Sequence, residues 1–169
     1  MNNHFAIRKA NREDVGIIRE MAYKIWPSTF KNILSIDQID YMLDLMYSEE
    51  ELCRRMKIQN QDFYLIEDKH RALGYLELAC HYPSPILAKI HKIYILPSAQ
   101  NQGLGQKLIW FAENQAISEN CKQLTLNVNK FNPAITFYEK SGFKKIAEEV
   151  IDIGNGFVMD DYVYEKTLT

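Results

Sequence analysis

The apolar positions of the chain change their period along its length, and each change marks a different kind of element. Phe5 to Lys9 reads as a short strand. Asn11 then caps a helix whose Val15, Ile18, Ala22 and Ile25 share one face, and Pro27 marks its expected end. Ser35 with Gln38, and Ser48 with Glu51, form two capping-box patterns. The first opens a helix with Ile36, Ile39, Met42, Leu43 and Met46 inward. The second opens a shorter helix expected to reach about Gln59. From Asp62 the period becomes two. Asp62–Asp68, Ala72–Tyr82 and Ala88–Leu96 read as strands, parted by Lys69-His70-Arg71 and by Pro83 and Pro85, with Pro97 ending the third. Their short connections predict an antiparallel meander.

A helical period returns with Leu104, Leu108, Phe111 and Ala112, and lasts to about Ser118. Lys122–Asn129 alternates again, with Leu124, Leu126 and Val128 on one face. Pro133 to Lys140 is a short helix closed by Ser141-Gly142. Phe143–Asp152 and Phe157–Leu168 then form a hairpin around Gly154-Asn155-Gly156. The order β-α-α-α-β-β-β-α-β-α-β-β describes an α/β (mixed α+β) fold, a mixed sheet of about seven strands flanked by helices. No linker or repeat divides it, so residues 1–169 read as a single domain.

Composition narrows the function more than the fold. The 169 residues carry 20 basic and 22 acidic side chains, for a net charge of -2. That balance gives no basic surface on which to collect phosphates and argues against a nucleic-acid partner. The hydrophobic fraction of 47% and charged fraction of 25% are those of a globular domain, not of a disordered chain. Cys53, Cys80 and Cys121 have neither CxxC spacing nor a neighbouring histidine, which predicts free thiols and no metal. No apolar run reaches the ~18 residues needed to cross a bilayer. Met1 to Lys9 lacks the apolar core of a signal peptide. These features predict a cytoplasmic protein with no membrane partner.

The segment Ile93-Tyr94-Ile95-Leu96-Pro97-Ser98-Ala99-Gln100-Asn101-Gln102-Gly103-Leu104-Gly105-Gln106 runs from a strand through a glycine-bearing loop into a helix. Glycine lets backbone approach a ligand closely, and the first free N–H groups of a helix hold phosphate without Lys or Arg. The loop is too short for a Walker A motif, and the third glycine of a dinucleotide fingerprint is missing. Taken alone, such a segment serves a tight turn equally well.

A second segment, Asn132-Pro133-Ala134-Ile135-Thr136-Phe137-Tyr138-Glu139-Lys140-Ser141-Gly142-Phe143, changes that balance. Together the two resemble the GNAT superfamily of acyl-CoA-dependent N-acetyltransferases. Gln100, Gly103 and Gly105 match its Q/R-x-x-G-x-G/A element. Ala134, Ile135, Phe137, Tyr138, Gly142 and Phe143 match its A-I-x-F-Y-x-x-x-G-F element. The resemblance covers the chain from Phe5 to Leu168. It implies acetyl-CoA as acyl donor and an N-acetyltransferase activity on a primary amine. Backbone groups of Ile93 and Ile95 are expected to pair with the pantetheine arm, and those of Gln100, Asn101, Gln102, Gly103, Leu104, Gly105 and Gln106 to cradle the pyrophosphate. Family members often carry a cofactor-binding Asn seven residues before the tyrosine. Phe131 stands there, so Asn132 is carried over in its place.

Acetyl transfer needs a neutral amine and a proton for the departing thiolate. Neutralising an amine of pKa ~10.4 at pH 7 costs about 4.6 kcal/mol. The resemblance makes Tyr138 the general acid; a hydrogen-bonded, inert tyrosine is the structural alternative. His91 is the candidate base, expected to share a strand face with Lys89, Ile93 and Ile95. A half-exposed strand histidine fits that position equally well, and Glu77 on the neighbouring strand is the other candidate. Trp26 and Phe30 are candidate walls of the acceptor site. Six acids and no Lys or Arg lie between Ser35 and Leu52, and Asp160 and Asp161 adjoin in the last strand. They suit a cationic acceptor such as a polyamine, or simply form a solvated face. The layout also resembles bacterial spermidine/spermine acetyltransferases. A protein N-terminus or lysine is an alternative acceptor, and a CoA-binding sensor without turnover is the non-enzymatic reading. Similar proteins are commonly homodimers, but no residue here specifies an interface.

Overall fold

Seven strands form one sheet in the order β1-β2-β3-β4-β5-β7-β6, and the computed structural model describes residues 4–169. The strands are β1 (Ala6–Lys9), β2 (Gln61–Glu67), β3 (Ala72–Cys80), β4 (Leu87–Ile95), β5 (Gln123–Asn129), β6 (Lys144–Gly154) and β7 (Phe157–Thr167). The helices are α1 (Val15–Phe30), α2 (Ile36–Tyr47), α3 (Glu49–Arg55), α4 (Leu104–Ser118) and α5 (Ile135–Lys140). Strands β2, β3 and β4 form the predicted antiparallel meander. Every pairing is antiparallel except β4 with β5. A parallel pair requires a crossover, and α4 provides it. Its buried Leu104, Leu108, Ile109, Ala112 and Ala116 join the core with Ala88 and Ile90 of β4 and Leu124 and Leu126 of β5.

The N-terminal helices differ from expectation in three places. Helix α1 passes through Pro27 to Phe30, and Lys31 N donates to Pro27 O at 3.2 Å. Burial of Trp26 and Phe30 on either side of the proline holds this last turn in place. Ile36 is 76% exposed, because it opens α2 before the buried stripe begins at Ile39. Helix α3 stops at Arg55, well short of Gln59.

The capping serines act as expected: Ser35 Oγ accepts from Gln38 N at 3.1 Å and Ser48 Oγ from Glu51 N at 3.3 Å. The glutamine does not close its box. Gln38 Nε2 donates instead to Val158 O on β7 at 2.8 Å, and Tyr41 Oη donates to Ile153 O on β6 at 2.5 Å. Helix α2 is thereby fastened to the tip of the last hairpin. Gly154, at φ +88°, lies so close that a Cβ there would stand 2.7 Å from Tyr41 Oη.

The register of β4 carries the fold's main irregularity. Lys92 pairs with Glu77 and Ile90 with Leu78, so His91 is an extra residue in a β-bulge. On β3, Leu76 and Leu78 share a face, so their partners Ile93 and Ile90 do too. Lys89, Lys92 and Tyr94, opposite Ala79, Glu77 and Tyr75, lie on the other face. The uninterrupted alternation read from sequence, with Lys89, Ile93 and Ile95 on one face, is therefore corrected by the bulge.

Candidate active site

Strands β4 and β5 pair only from Leu87 with Gln123 to Ile90 with Leu126. Beyond the bulge β4 stays with β3, through Ile93 with Leu76 and Ile95 with Gly74. Meanwhile β5 stays with β7, through Val128 with Tyr162 and Asn129 with Asp161. The sheet opens into a wedge, and the free edge of β4 along it carries Ile93 and Ile95. Gly74 permits the close pairing there: a Cβ on it would stand 2.5 Å from Tyr94 O.

The wedge leads to the loop before α4. Buried Leu96 and Ala99 anchor this loop, while Gln100, Asn101, Gln102 and Gly103 are exposed. Gly103 is the N-cap at φ +74°, and no atom lies within 4 Å of where its Cβ would be. Lys107 N bonds Gly103 O at 3.1 Å, which leaves the amides of Leu104, Gly105 and Gln106 free of intrahelical partners. The Leu104 side chain is in the core, so only its backbone faces the loop. Gly105 has a second role, since a Cβ there would meet the Phe137 ring of α5 at 3.3 Å. Gln106 Oε1 accepts from Ser141 Oγ at 3.1 Å and joins the start of α4 to the end of α5. Asn132 Oδ1 accepts from Ala134 N at 2.9 Å, so this side chain shapes the turn into α5.

The helix α5 brings Tyr138 to the wedge, where it is buried and lies within electrostatic range of Tyr94. Burial alone pushes the Tyr138 phenol well above its ordinary value of 10. It stays protonated across the whole physiological range. Tyr94 also belongs to an aromatic cluster under α1 and α2, with ring centroids 5.9 Å from Trp26 and 5.6 Å from Tyr75. Trp26 Nε1 donates to Tyr47 Oη at 3.2 Å, and Tyr75 Oη donates to the same oxygen at 2.8 Å. Trp26 and Phe30 are 4% and 5% exposed. The structure places them behind Tyr94 as packing, not as open walls.

Glu77 is 0% exposed and fully engaged. Its Oε1 accepts from Arg55 Nε at 2.5 Å and Gln61 Nε2 at 2.6 Å, and its Oε2 from Lys92 Nζ at 2.5 Å. Burial works to raise this carboxyl, but Lys92 and Arg55 outweigh it and hold Glu77 below its ordinary value. A carboxylate so occupied braces the sheet and offers nothing to an acceptor. His91 sits in the bulge with Nε2 buried and without a hydrogen-bond partner among the described residues, and its ring centroid is 5.2 Å from that of Tyr82. Burial pulls its pKa down to about 4. The imidazole is neutral at pH 7 but a far weaker base than an ordinary histidine.

The acids noticed in the sequence separate into distinct groups. Asp37, Asp40, Asp44, Glu49 and Glu50 are exposed on α2 and α3, and Glu51 pairs with Arg54 at 2.7 Å. They form a solvated helix face. Strand alternation splits Asp160 from Asp161. Asp160 pairs with Lys130 Nζ at 2.7 Å, whereas Asp161 is buried and makes no ion pair among the described residues. In the sequence Asp161 stands out only as half of a pair, and nothing there marks Tyr94, Tyr47 and Tyr75 as a cluster. Ten tyrosines are the one signal in the sequence, and only the register gathers three of them here.

Known proteins share this fold. The family profile of the acetyltransferase (GNAT) domain matches residues 34–165. The chain belongs to the GNAT acetyltransferase family. This acetyltransferase is 26% identical over 159 residues to the Spermidine N(1)-acetyltransferase of Thermoplasma acidophilum, covering 91% of this chain and 94% of that one. It is 24% identical over 154 residues to the Uncharacterized N-acetyltransferase YuaI of Bacillus subtilis, covering 87% and 84% of the two chains. Among solved structures, the PaiA N-acetyltransferase of Thermoplasma acidophilum, in complex with coenzyme A, superposes with a TM-score of 0.81 at 24% identity, over 97% of this chain and 99% of that one. The enzyme is an acyltransferase. Among the described residues no group of three or more His, Cys, Asp or Glu is placed to hold a metal ion, and no helix is long and apolar enough to cross a membrane.

Proposed function

We propose that the enzyme transfers acetyl from acetyl-CoA to the primary amine of a small cationic acceptor, by direct attack and without an acyl-enzyme. The observation that carries this reading is the wedge between β4 and β5, which runs from free helix amides at one end to Tyr94, Tyr138 and Asp161 at the other. Ile93 and Ile95 offer an unpaired strand edge on which the pantetheine arm would add as a further strand. The backbone from Gln100 to Gln106 would hold the pyrophosphate at the positive end of α4. Tyr138, permanently protonated, donates its proton to the sulfur as the C–S bond breaks. The relative named as a spermidine acetyltransferase supports a polyamine-like acceptor. The free thiols Cys53, Cys80 and Cys121 suit the reducing cytoplasm.

The test is thiol release from acetyl-CoA with spermidine, free amino acids, an aminoglycoside and peptides bearing free N-termini. Saturable release with the small cationic amines is the expected result. Release with peptides alone would reassign the acceptor to proteins. Silence with every amine, alongside tight CoA binding, would leave a binding domain.

Gly103→Val tests the cradle. The residue must adopt φ +74°, which a β-branched side chain resists. CoA affinity by calorimetry is expected to fall at least tenfold. Since no atom crowds the site, an unchanged affinity would remove this loop from cofactor binding.

A further inference from the structure

Asp161 is the anomaly of the molecule. It is 3% exposed, yet no cation pairs with it among the described residues. The Asn127 amide on β5 lowers its pKa through a hydrogen bond, and the same NH2 group, which has two hydrogens, also donates to Glu149 Oε2 of β6 at 2.7 Å. Lys89 of β4 acts on it more weakly still, while Glu149 and the adjacent Asp160 add repulsion. A buried, unpaired carboxylate is costly and is kept where something else uses it. Its position shows what that is. Asp161 lies opposite Asn129, where β5 has parted from β4. It shares a β7 face with Val163 and Glu165, whose partners are Asn127 and Thr125. Thr125 in turn pairs with Lys89, on the sheet face of Lys92 and Tyr94. The carboxylate is thus on the Tyr94 side of the wedge, close enough to Tyr94 for its charge to push that phenol's pKa up.

We infer that Asp161 binds the acceptor's ammonium group in the wedge and takes its proton before attack. This rests on the acetyl-transfer reading above. The ammonium N–H bond breaks and the proton moves to an Asp161 oxygen, leaving a neutral amine. The nitrogen lone pair forms the C–N bond at the thioester carbonyl, and the C–S bond breaks. Tyr138 gives its proton to the thiolate and regains one from the newly formed, positively charged nitrogen. Asp161 returns its own proton to water.

Burial raises the Asp161 carboxyl to about 6 and lowers the His91 imidazole to about 4, so Asp161 is the better proton acceptor of the two. At pH 7 it is still about nine-tenths ionised, ready to receive a cation.

The experiment compares wild type with Asp161→Asn, an uncharged near-isostere that relieves a buried charge and keeps the fold. In wild type, kcat/KM for the amine should rise through about pH 6 and then stay level until the free amine titrates. In Asp161→Asn it should be at least a hundredfold lower at pH 7 and climb about tenfold per pH unit toward the amine's own pKa, with the KM for acetyl-CoA unchanged. Superimposable profiles would overturn the inference. A second readout needs no turnover. In CoA-bound wild type, carbon NMR should show the Asp161 pKa falling by at least about one unit on addition of amines from the panel. An unchanged pKa with all of them overturns the inference even if transfer occurs. A fall without transfer supports the Asp161 site and defeats the acetyl-transfer reading instead.

Discussion

Glu77→Ala is expected to lower the unfolding free energy by about 3–5 kcal/mol, because it strands the Lys92 ammonium in the core with the Arg55 guanidinium beside it. Lys92 is buried, and its ammonium faces the rings of Tyr47 and Phe63 at 5.5 and 5.8 Å. Those aromatic faces soften the loss of the carboxylate but do not replace it. Domains of this kind have about 5–15 kcal/mol in total, so the change should be visible as a drop of about 10 °C in Tm. Urea unfolding monitored by circular dichroism measures it directly. Glu77→Gln, which keeps an acceptor oxygen, should lose less. A loss below about 1 kcal/mol for the alanine variant would mean that water reaches Lys92. The pH dependence follows in sign. Glu77 is held below its ordinary 4.5, so its contribution is complete above that pH and disappears as pH falls through the lowered value.

Tyr138→Phe is expected to reduce kcat at least tenfold, equivalent to about 1.4 kcal/mol of lost transition-state stabilisation, with little change in affinity for acetyl-CoA. The substitution removes one oxygen and keeps the ring, whose centroid lies 5.3 Å from Phe137 and 6.2 Å from Phe143. Stability should therefore change little, which separates a chemical effect from a structural one. The argument is the burial of the phenol: it is protonated at every pH at which the enzyme works, so its O–H is always there to donate to sulfur as the C–S bond breaks. Stopped-flow thiol release at saturating acetyl-CoA would measure the effect. Equal rates for the two proteins would take Tyr138 out of the reaction.

The sequence is most readable where structure is local. The strand, loop and helix from Ile93 to Ser118 declare themselves because the glycines, the proline and the apolar spacing lie within one short stretch. The serine caps of α2 and α3 are legible for the same reason. What escapes is set by distant pairing. The extra residue at His91 leaves no mark in the alternation of apolar and polar positions, yet it turns Lys92 inward to Glu77 and moves Ile93 and Ile95 to the opposite face from Lys89. Asp160 and Asp161 look equivalent until Lys130 is seen to neutralise only the first. Gln38 fits a capping box perfectly well by spacing, but the Val158 carbonyl across the structure competes for it and wins. Pro27 would end an isolated helix; here the buried aromatic side chains around it outweigh the lost hydrogen bond.

The two bonds from α2 to the last hairpin have a mechanical consequence. Gln38 and Tyr41 grip opposite strands of that hairpin, one at Val158 and one at Ile153, so neither strand can swing without carrying the helix. Helix α2 and the hairpin are tied into one unit on this side of the wedge. Reshaping it for a bulkier guest therefore takes coordinated change in two stretches about 115 residues apart, and substitutions tried in either one alone would loosen the grip before they widened the opening.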